Sequence, residues 1–550
     1  MRSTFAFLLS FLSPVLVVAA TPAARPNVVI ILADDMGYSD IGCYGGEIPT
    51  PHLDALAKNG LRFTQFYNTA RCSPTRAALL TGLHPHQAGM GTLAEDPGKQ
   101  AQPTAAAGYR EVLGRDAVTI AEVLRPAGYR TYLAGKWHLG YHGVEKWPLA
   151  RGFERFYGLI SGASSYHLPT DPRGLTLDNT PLPPPTQPGY YTTDAFTDHA
   201  LEFLAAQRAT EPFFLYLAFT APHWPLHARE EDIKKFVGRY RGGWDQLRAQ
   251  RFARQQELGV VPANAKLSPR DDGARAWDAL SAEEQTQLDY RMAVYAAQVH
   301  RMDHNIGRLV AQLRARGQLD NTLIFFLTDN GGCAEPYSDL GGGAFSAINQ
   351  PAAAGSGGRN AGTNGSSYGT GWANASNTPF RRYKARLHQG GISTPLIAHW
   401  PAGLKTAPGS TTATLGYLTD FMPTVLELSG AAYPAELGGQ RIQPLVGRSL
   451  APVLRGGALP ADRWLYWEQY NNKAVRHGHW KAVQPAEANS PWELYDLSTD
   501  PTELNNLAAS RADKLRELTA AWEAWATSHR VLPKTISAPG GTPKAPRKKS

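Results

Sequence analysis

Asn27-Val28-Val29-Ile30-Ile31-Leu32-Ala33, preceded by Pro26 and followed at once by Asp34-Asp35-Met36-Gly37, is the stretch from which the fold follows. An apolar, largely β-branched run with no polar alternation reads as a strand covered on both faces, as in a parallel sheet. Three more runs share the pattern: Pro212 to Phe219, Thr322 to Leu327 (which ends in Thr328-Asp329-Asn330-Gly331-Gly332) and Pro395 to Trp400. Helical patterns lie between them, from His52 to Gly60 and from about Ala282 to Arg316. Strands alternating with helices predict an α/β fold, a large and mostly parallel sheet flanked by helices.

Two stretches depart from this alternation. Residues 227–290 are charged and rich in Trp, Arg and Gln, and predict a peripheral helical excursion. Residues 331–380 are dense in Gly, Ala, Ser and Asn. This long loop leaves the Asp329 strand end and returns just before Lys384, which assigns it to the rim of a site. A plain surface excursion is the alternative. Further on the texture changes again. Trp464 to Glu468, Ala474 to Arg476, Trp480 to Val483 and Trp492 to Leu497 are short strand patterns, and a helix follows over about Ala512 to Ala526. They predict a small antiparallel C-terminal sheet with a packed helix.

The ends of the chain carry other signals. Arg2 precedes an apolar run, Phe5 to Val18, and Val18-Ala19-Ala20 fits a cleavage site for a secretory leader. Pro14 interrupts the run, which is short for a bilayer span. The protein is therefore expected to be exported, periplasmic or secreted, with no stable membrane insertion. The expected organisation is a signal peptide over 1–20, a catalytic α/β domain over 21–455, a C-terminal α+β subdomain over 456–530 and a disordered basic tail over 531–550. The 550 residues, 43% hydrophobic and 19% charged, suit a soluble globular enzyme with a large core. Of the net charge of +8, four charges (Lys544, Arg547, Lys548, Lys549) fall in that tail, and no folded basic stripe suggests nucleic acid as a partner. Cys43, Cys72 and Cys333 make no disulfide framework. Cys43 and Cys333 either pair or remain free thiols.

Asp34-Asp35 and Asp329-Asn330 each follow a buried strand pattern directly. Ligands of open parallel sheets bind outside the carboxyl ends of the strands, so both pairs converge there. Either pair alone also fits a helix cap or turn. Together, three carboxylates and an amide oxygen form a hard-cation site, suited to Ca²⁺ more than Mg²⁺. Without Cys or His in the set, zinc is disfavoured. Basic side chains join them. Lys136 and His138 sit at i, i+2, where an extended segment projects them to one side. Lys384 precedes His388-Gln389-Gly390-Gly391, and His223 follows the Pro212 to Phe219 run. Arg76 lies one helical turn after Cys72, so the two share a face. Each of these residues, taken singly, also fits a solvated charge or a structural histidine.

Cys72-Ser73-Pro74-Thr75-Arg76 is a C-x-P-x-R pattern. Taken with Pro26 to Asp35, Thr81-Gly82, Gly135 to His138, His223, Asp329 to Gly332, Lys384, Gly390-Gly391 and Leu494 to Leu497, it resembles the type I, formylglycine-dependent sulfatases. The likeness is to a bacterial arylsulfatase of the alkaline-phosphatase-like superfamily. The resemblance implies that a formylglycine-generating maturation enzyme oxidises Cys72, with Pro74 and Arg76 as its recognition elements. It implies one Ca²⁺ held by Asp34, Asp35, Asp329, Asn330 and the converted Cys72. In that scheme a hydrated aldehyde attacks the sulfur of an aryl or carbohydrate sulfate ester. His138 takes the proton that releases sulfate, His223 and Lys384 serve the leaving oxygen, and Lys136, Lys384 and Arg76 balance charge. A serine in place of the aldehyde would be trapped as a stable sulfate ester. The competing readings are a phosphatase, phosphodiesterase or phosphonate hydrolase of the same superfamily, and a non-catalytic exported glycan-binding protein. His84, His86, Tyr166, His167 and the 331–380 loop are the candidates for a substrate rim.

Overall fold

The computed structural model describes residues 25–95, 97, 106–335 and 367–532. The expected leader, residues 533–550 of the basic tail and the middle of the 331–380 loop lie outside the described residues, whereas Val531, expected in the tail, is buried in the C-terminal core. The eleven-stranded main sheet contains β1 (Asn27–Ala33), β2 (Leu61–Tyr67), β3 (Arg130–Lys136), β4 (Arg155–Leu159), β5 (Leu175–Leu177), β6 (Thr180–Pro181) and β7 (Phe213–Ala218). It is completed by β8 (Thr322–Thr328), β9 (Ser393–His399), β10 (Ser410–Thr412) and β11 (Gly416–Tyr417). The strand order is β10-β2-β9-β8-β1-β7-β3-β4-β5-β6, with β11 also paired to β2. The central block β8-β1-β7-β3-β4 is parallel, whereas β9 runs antiparallel to β2 and β8.

The opening sequence run explains itself in this setting. Val29 and Ile31 pack into one apolar layer with Phe196 and Phe203 of α3 (Thr192–Ala206) and Met302 and Ile306 of α5 (Ala282–Ala315). Val28, Ile30 and Leu32 face the opposite layer, with Leu79 and Leu80 of α2 (Cys72–Thr81) and Phe421 and Met422 of α7 (Phe421–Ser429). Both faces are covered, so polar alternation has no place. Helix α1 (Pro51–Lys58) covers the sheet beside α5, where Asp303 accepts the backbone N–H groups of His52 and Leu53. Gly135 is required by closeness as well as conformation. Its φ is +117°, and a Cβ there would stand 1.9 Å from Ala218 O on the neighbouring β7.

The 227–290 region is less peripheral than its charge suggests. In α4 (Gly243–Glu257), Arg251 is buried, with Nη1 donating to Asp40 Oδ1 at 2.7 Å and Nε to Glu47 Oε2 at 2.7 Å. Trp244, Trp277 and Trp372 form an aromatic cluster that joins α4 to α6 (Thr370–Ser376). Residues 370–376 are therefore helix, where composition predicts loop. The reason is pairing: charges matched by distant partners belong to the interior and not to solvent. Cys43, Cys72 and Cys333 are buried, and none of them forms a disulfide among the described residues. Among the described residues, no helix is long and apolar enough to cross a membrane.

The C-terminal strands β14 (Trp464–Gln469), β15 (Asn472–His477), β16 (Trp480–Gln484) and β17 (Glu493–Asp496) form an antiparallel meander, and β12 (Glu436–Leu437) and β13 (Gln440–Arg441) a small hairpin before it. Period-2 alternation sorts its two faces. Ala474, Val483 and Trp467 pack on Tyr67, Ile392 and Tyr417 of the main domain, while Val475, Ala482 and Leu494 pack on α8 (Ala512–Ser528). Trp522 of α8 is fully buried, and its Nε1 donates to Trp467 O at 2.9 Å. Trp522→Ala is expected to cost about 3–5 kcal/mol. Thermal denaturation reads this directly, and an unchanged midpoint would contradict the role given to α8.

Candidate active site

Four parallel strands deliver their last residues to one edge of the sheet. β1 leads into Asp34-Asp35, β8 into Asp329-Asn330, β3 ends on Lys136, and the chain after β7 reaches His223. Helix α2 begins at Cys72, because Arg71 before it is extended (φ −151°), and it ends on left-handed Gly82. All ten of its residues are buried. Cys72 thus stands at a helix N-terminus, where the backbone dipole favours negative charge. One turn on, Arg76 points back to the strand ends: Nη1 donates to Lys136 O at 2.8 Å and Nη2 to Asp329 Oδ2 at 3.3 Å.

The carboxylates are gripped closely. Lys136 Nζ donates to Asp34 Oδ2 at 2.5 Å, and Arg76 Nη2 lies 3.5 Å from the same oxygen. Asp35 Oδ1 accepts Lys384 Nζ at 2.6 Å and Asn330 Nδ2 at 2.7 Å. Asp35 itself is left-handed, φ +64°, with its N–H donating to Asp329 Oδ1 at 3.1 Å. Cys72 lies within electrostatic reach of both Arg76 and Lys384. His138 is within reach of Lys136, Arg76 and Asp34. Its φ is +56°, so a turn after β3, and not a continued extended segment, brings it beside Lys136. Every sequence-derived site residue therefore converges on one buried place.

Burial and charge set the protonation states. Burial pushes the Asp34 carboxyl up, but Lys136, His223, Arg76 and Lys384 outweigh it and hold Asp34 well below the usual range. Burial and the neighbouring Asp34 push Asp329 well up against Arg76 and Lys136. Burial works against a charged Lys384, yet Asp35 outweighs it and holds the ammonium. His138 is driven well below the ordinary imidazole value by burial, then by Lys136 and Arg76. Burial also pulls His223 down to about 4, against Asp35 and Asp34. Both imidazoles are thus neutral near pH 7.

A cation fits what remains. Asp34 Oδ1, Asp35 Oδ2 and Asn330 Oδ1 are buried acceptors that have no hydrogen-bond donor among the described residues. Leaving such atoms bare costs roughly 1–3 kcal/mol each, more when charged. Asp34, Asp35 and His223 can present ligand atoms within 4.8 Å of one another. His223 Nδ1 lies 2.5 Å from Trp224 O, and Nε2 stands 3.4 Å from Asp35 Oδ2. With Nδ1 donating, a neutral ring would turn a lone pair toward that carboxylate, which calls for positive charge between them. Each Asp329 oxygen already accepts one donor, Oδ1 from Asp35 N and Oδ2 from Arg76 Nη2, and keeps a further lone pair. The bare set is oxygen-rich and suits a hard dication.

Several supporting residues escaped the sequence. Thr75 Oγ1 donates to Asp329 O at 2.6 Å. The buried phenol of Tyr216, on β7, is in electrostatic contact with Arg76. Asp40 accepts Gly37 N and Tyr295 Oη, which fixes the turn after Asp34-Asp35. Three of the rim candidates, His84, His86 and Tyr166, are buried. Tyr166 is buried, and its hydroxyl donates to Thr220 O and His223 O, so it holds the His223 loop. His84 packs on Trp525 and His529, and His86 pairs with Glu468 at 2.9 Å, so both join the main domain to the C-terminal subdomain. His167 lies against Tyr191 and His227 with its ring tilted to both.

Comparison with known proteins gives a consistent result. The family model described as Sulfatase matches residues 26–431, and one described as N-sulphoglucosamine sulphohydrolase, C-terminal, matches residues 381–523. The chain is 37% identical to an arylsulfatase of Klebsiella aerogenes, over 79% of this chain and 93% of that one. It is 30% identical to arylsulfatase A of Homo sapiens, covering 90% and 86% respectively. Among solved structures it resembles Ps i-CgsB in complex with k-i-k-neocarrahexaose, with a TM-score of 0.65, 25% identity, and coverage of 91% and 92%.

Adding Ca²⁺ to chelator-treated protein is expected to raise the thermal midpoint, because ligand binding to the folded state stabilises it. Asp35→Asn should blunt the rise. A midpoint indifferent to Ca²⁺ in the unsubstituted protein would contradict a cation at these oxygens.

Proposed function

The chain belongs to the sulfatase family and is a sulfuric ester hydrolase, and from that premise we propose the chemistry of its site. It cleaves aryl or carbohydrate sulfate monoesters, with residue 72 converted from cysteine to formylglycine and one Ca²⁺ bound. The observation that carries this reading is the trio of bare acceptors, Asp34 Oδ1, Asp35 Oδ2 and Asn330 Oδ1, beside Lys136, Arg76, Lys384 and Cys72.

Asp34, Asp35, Asp329 and Asn330 would hold the Ca²⁺, together with the converted residue 72. When present, the ion supplies positive charge near the ester, and the hydrated formyl group supplies an oxygen nucleophile and a C–O bond that can later break to free sulfate. The remaining work falls to the chain's own side chains. Lys136 and Arg76 keep Asp34 ionised, and Arg76 also anchors Asp329. His138 is neutral, and its Nδ1 has no hydrogen-bond partner among the described residues. It is therefore poised to accept a proton from a hydroxyl of residue 72. Lys384 stays charged beside Asp35 and donates to the departing ester oxygen. His223 takes up a proton when the anionic ester arrives and delivers it to the same oxygen.

The protein is exported in this reading, and a formylglycine-generating enzyme matures it. A Cys72 peptide from the native host should show sulfur lost and oxygen gained by mass spectrometry. An intact thiol together with undiminished sulfate-ester turnover would contradict the assignment. Lys384→Ala should lower kcat about 10²-fold or more, as loss of a single electrostatic donor does elsewhere. Steady-state assay with an aryl sulfate reads this, and an unchanged kcat would place Lys384 outside the reaction.

A further inference from the structure

Lys384 lies between α6 and β9 of the main domain, yet the C-terminal subdomain supplies many of the bonds that fix the backbone around it. We propose that the buried ion pair Lys481–Glu503, together with Asn472, positions Lys384 against Asp35 and residue 72. The proposal rests on the sulfatase reading above, in which Lys384 serves the leaving oxygen.

The ion pair grips the segment on both sides of Lys384. Lys481 Nζ donates to Glu503 Oε1 at 2.7 Å and to Leu387 O at 2.8 Å. The other oxygen of Glu503, Oε2, accepts Gln389 N at 2.8 Å, and its backbone O accepts Arg381 Nη1 at 3.0 Å. Three of these four bonds end on the segment that carries Lys384. Both charged side chains are fully buried. A pair desolvated to that degree is weak evidence of added stability, since apolar replacements of similar volume are often neutral. What this pair does make is a rigid bracket whose bonds run to the Lys384 segment.

The backbone beside Lys384 needs such a bracket. Arg382 and Ala385 are both left-handed, each at φ +67°. A residue with a Cβ disfavours that region and keeps it only where its surroundings insist. Ala385 is held at both ends of its peptide framework. Its N–H donates to Ala70 O at 2.9 Å, two residues before Cys72, and its carbonyl accepts Asn472 Nδ2 at 3.2 Å. Released to an ordinary φ, Ala385 would turn the chain and carry Lys384 Nζ off Asp35. Asn472, Lys481 and Glu503 are therefore positioning residues that act through Lys384.

The test is a double-mutant cycle. Lys481→Met combined with Glu503→Leu, and separately Asn472→Ala, are made in the full-length matured enzyme and in the Lys384→Ala enzyme. In the unsubstituted background, kcat for an aryl sulfate is expected to fall about tenfold or more for the ion-pair variant, with KM within about twofold. In the Lys384→Ala background the same changes should have no further effect. A kcat equal to that of the parent enzyme would overturn the proposal. An equal fractional loss in both backgrounds would also overturn it, because the pair would then act elsewhere. If the ion-pair variant does not fold, Asn472→Ala keeps the pair and faces the same two criteria. Failure of the underlying reading looks different: either the matured parent enzyme lacks sulfate-ester turnover, or Lys384→Ala is fully active.

Discussion

Three carboxylates with essentially no exposure stand at the ends of two adjacent strands, and much of the site's architecture follows from the need to neutralise them. Desolvating one ion costs several kcal/mol on the order given by buried-charge studies. Asp34, Asp35 and Asp329 are each buried to within 2%. Lys136, Arg76 and Lys384 answer them one for one and are equally buried. The parallel arrangement makes this possible, because β8, β1, β7 and β3 lie side by side and deliver their last residues to the same edge. The pairing still leaves Asp34 Oδ1 and Asp35 Oδ2 bare. A dication bound there would add positive charge, which would suit an anionic ester.

The same constraint explains why distant segments are recruited. Lys136 and the strand ends are near neighbours through the sheet, but Lys384 is not on a strand at all. It reaches Asp35 from a segment braced against β15, β16, β17 and Glu503. The C-terminal sheet has one face on α8 and one on the main domain, so it passes the rigidity of its own core to that segment. His86 with Glu468 and Arg476 with Tyr67 tie the two parts further. A subdomain that could be taken for an appendage is thereby part of the site's support.

How much of this was legible in the sequence depends on the range of each interaction. The β1 and β8 runs announced buried strands because their residues carry the whole signal, and the acidic pairs after them inherited their place from the strand ends. The C-terminal meander was legible through alternation of Trp, Ala and Val. The charge of the 227–290 stretch suggested a peripheral excursion because the partners of its Arg251, Asp40 and Glu47, are more than 200 residues away. His84 and His86 suggested a rim through their chemistry, but Trp525, His529 and Glu468 claim them, all from beyond residue 460. The left-handed turn at Ala385 had no local sign, since neither Gly nor Asn marks it. Propensity describes what a residue prefers locally, and these residues are governed by remote contacts.

The central claim is that Asp34 Oδ1, Asp35 Oδ2 and Asn330 Oδ1 converge on one hard dication. The most direct measurement is elemental analysis of the purified protein, followed by diffraction that locates the ion in the crystal. The account predicts one Ca²⁺ per chain in contact with those three oxygens. Zinc in its place, or an ion held by His223 and remote from Asn330, would contradict it.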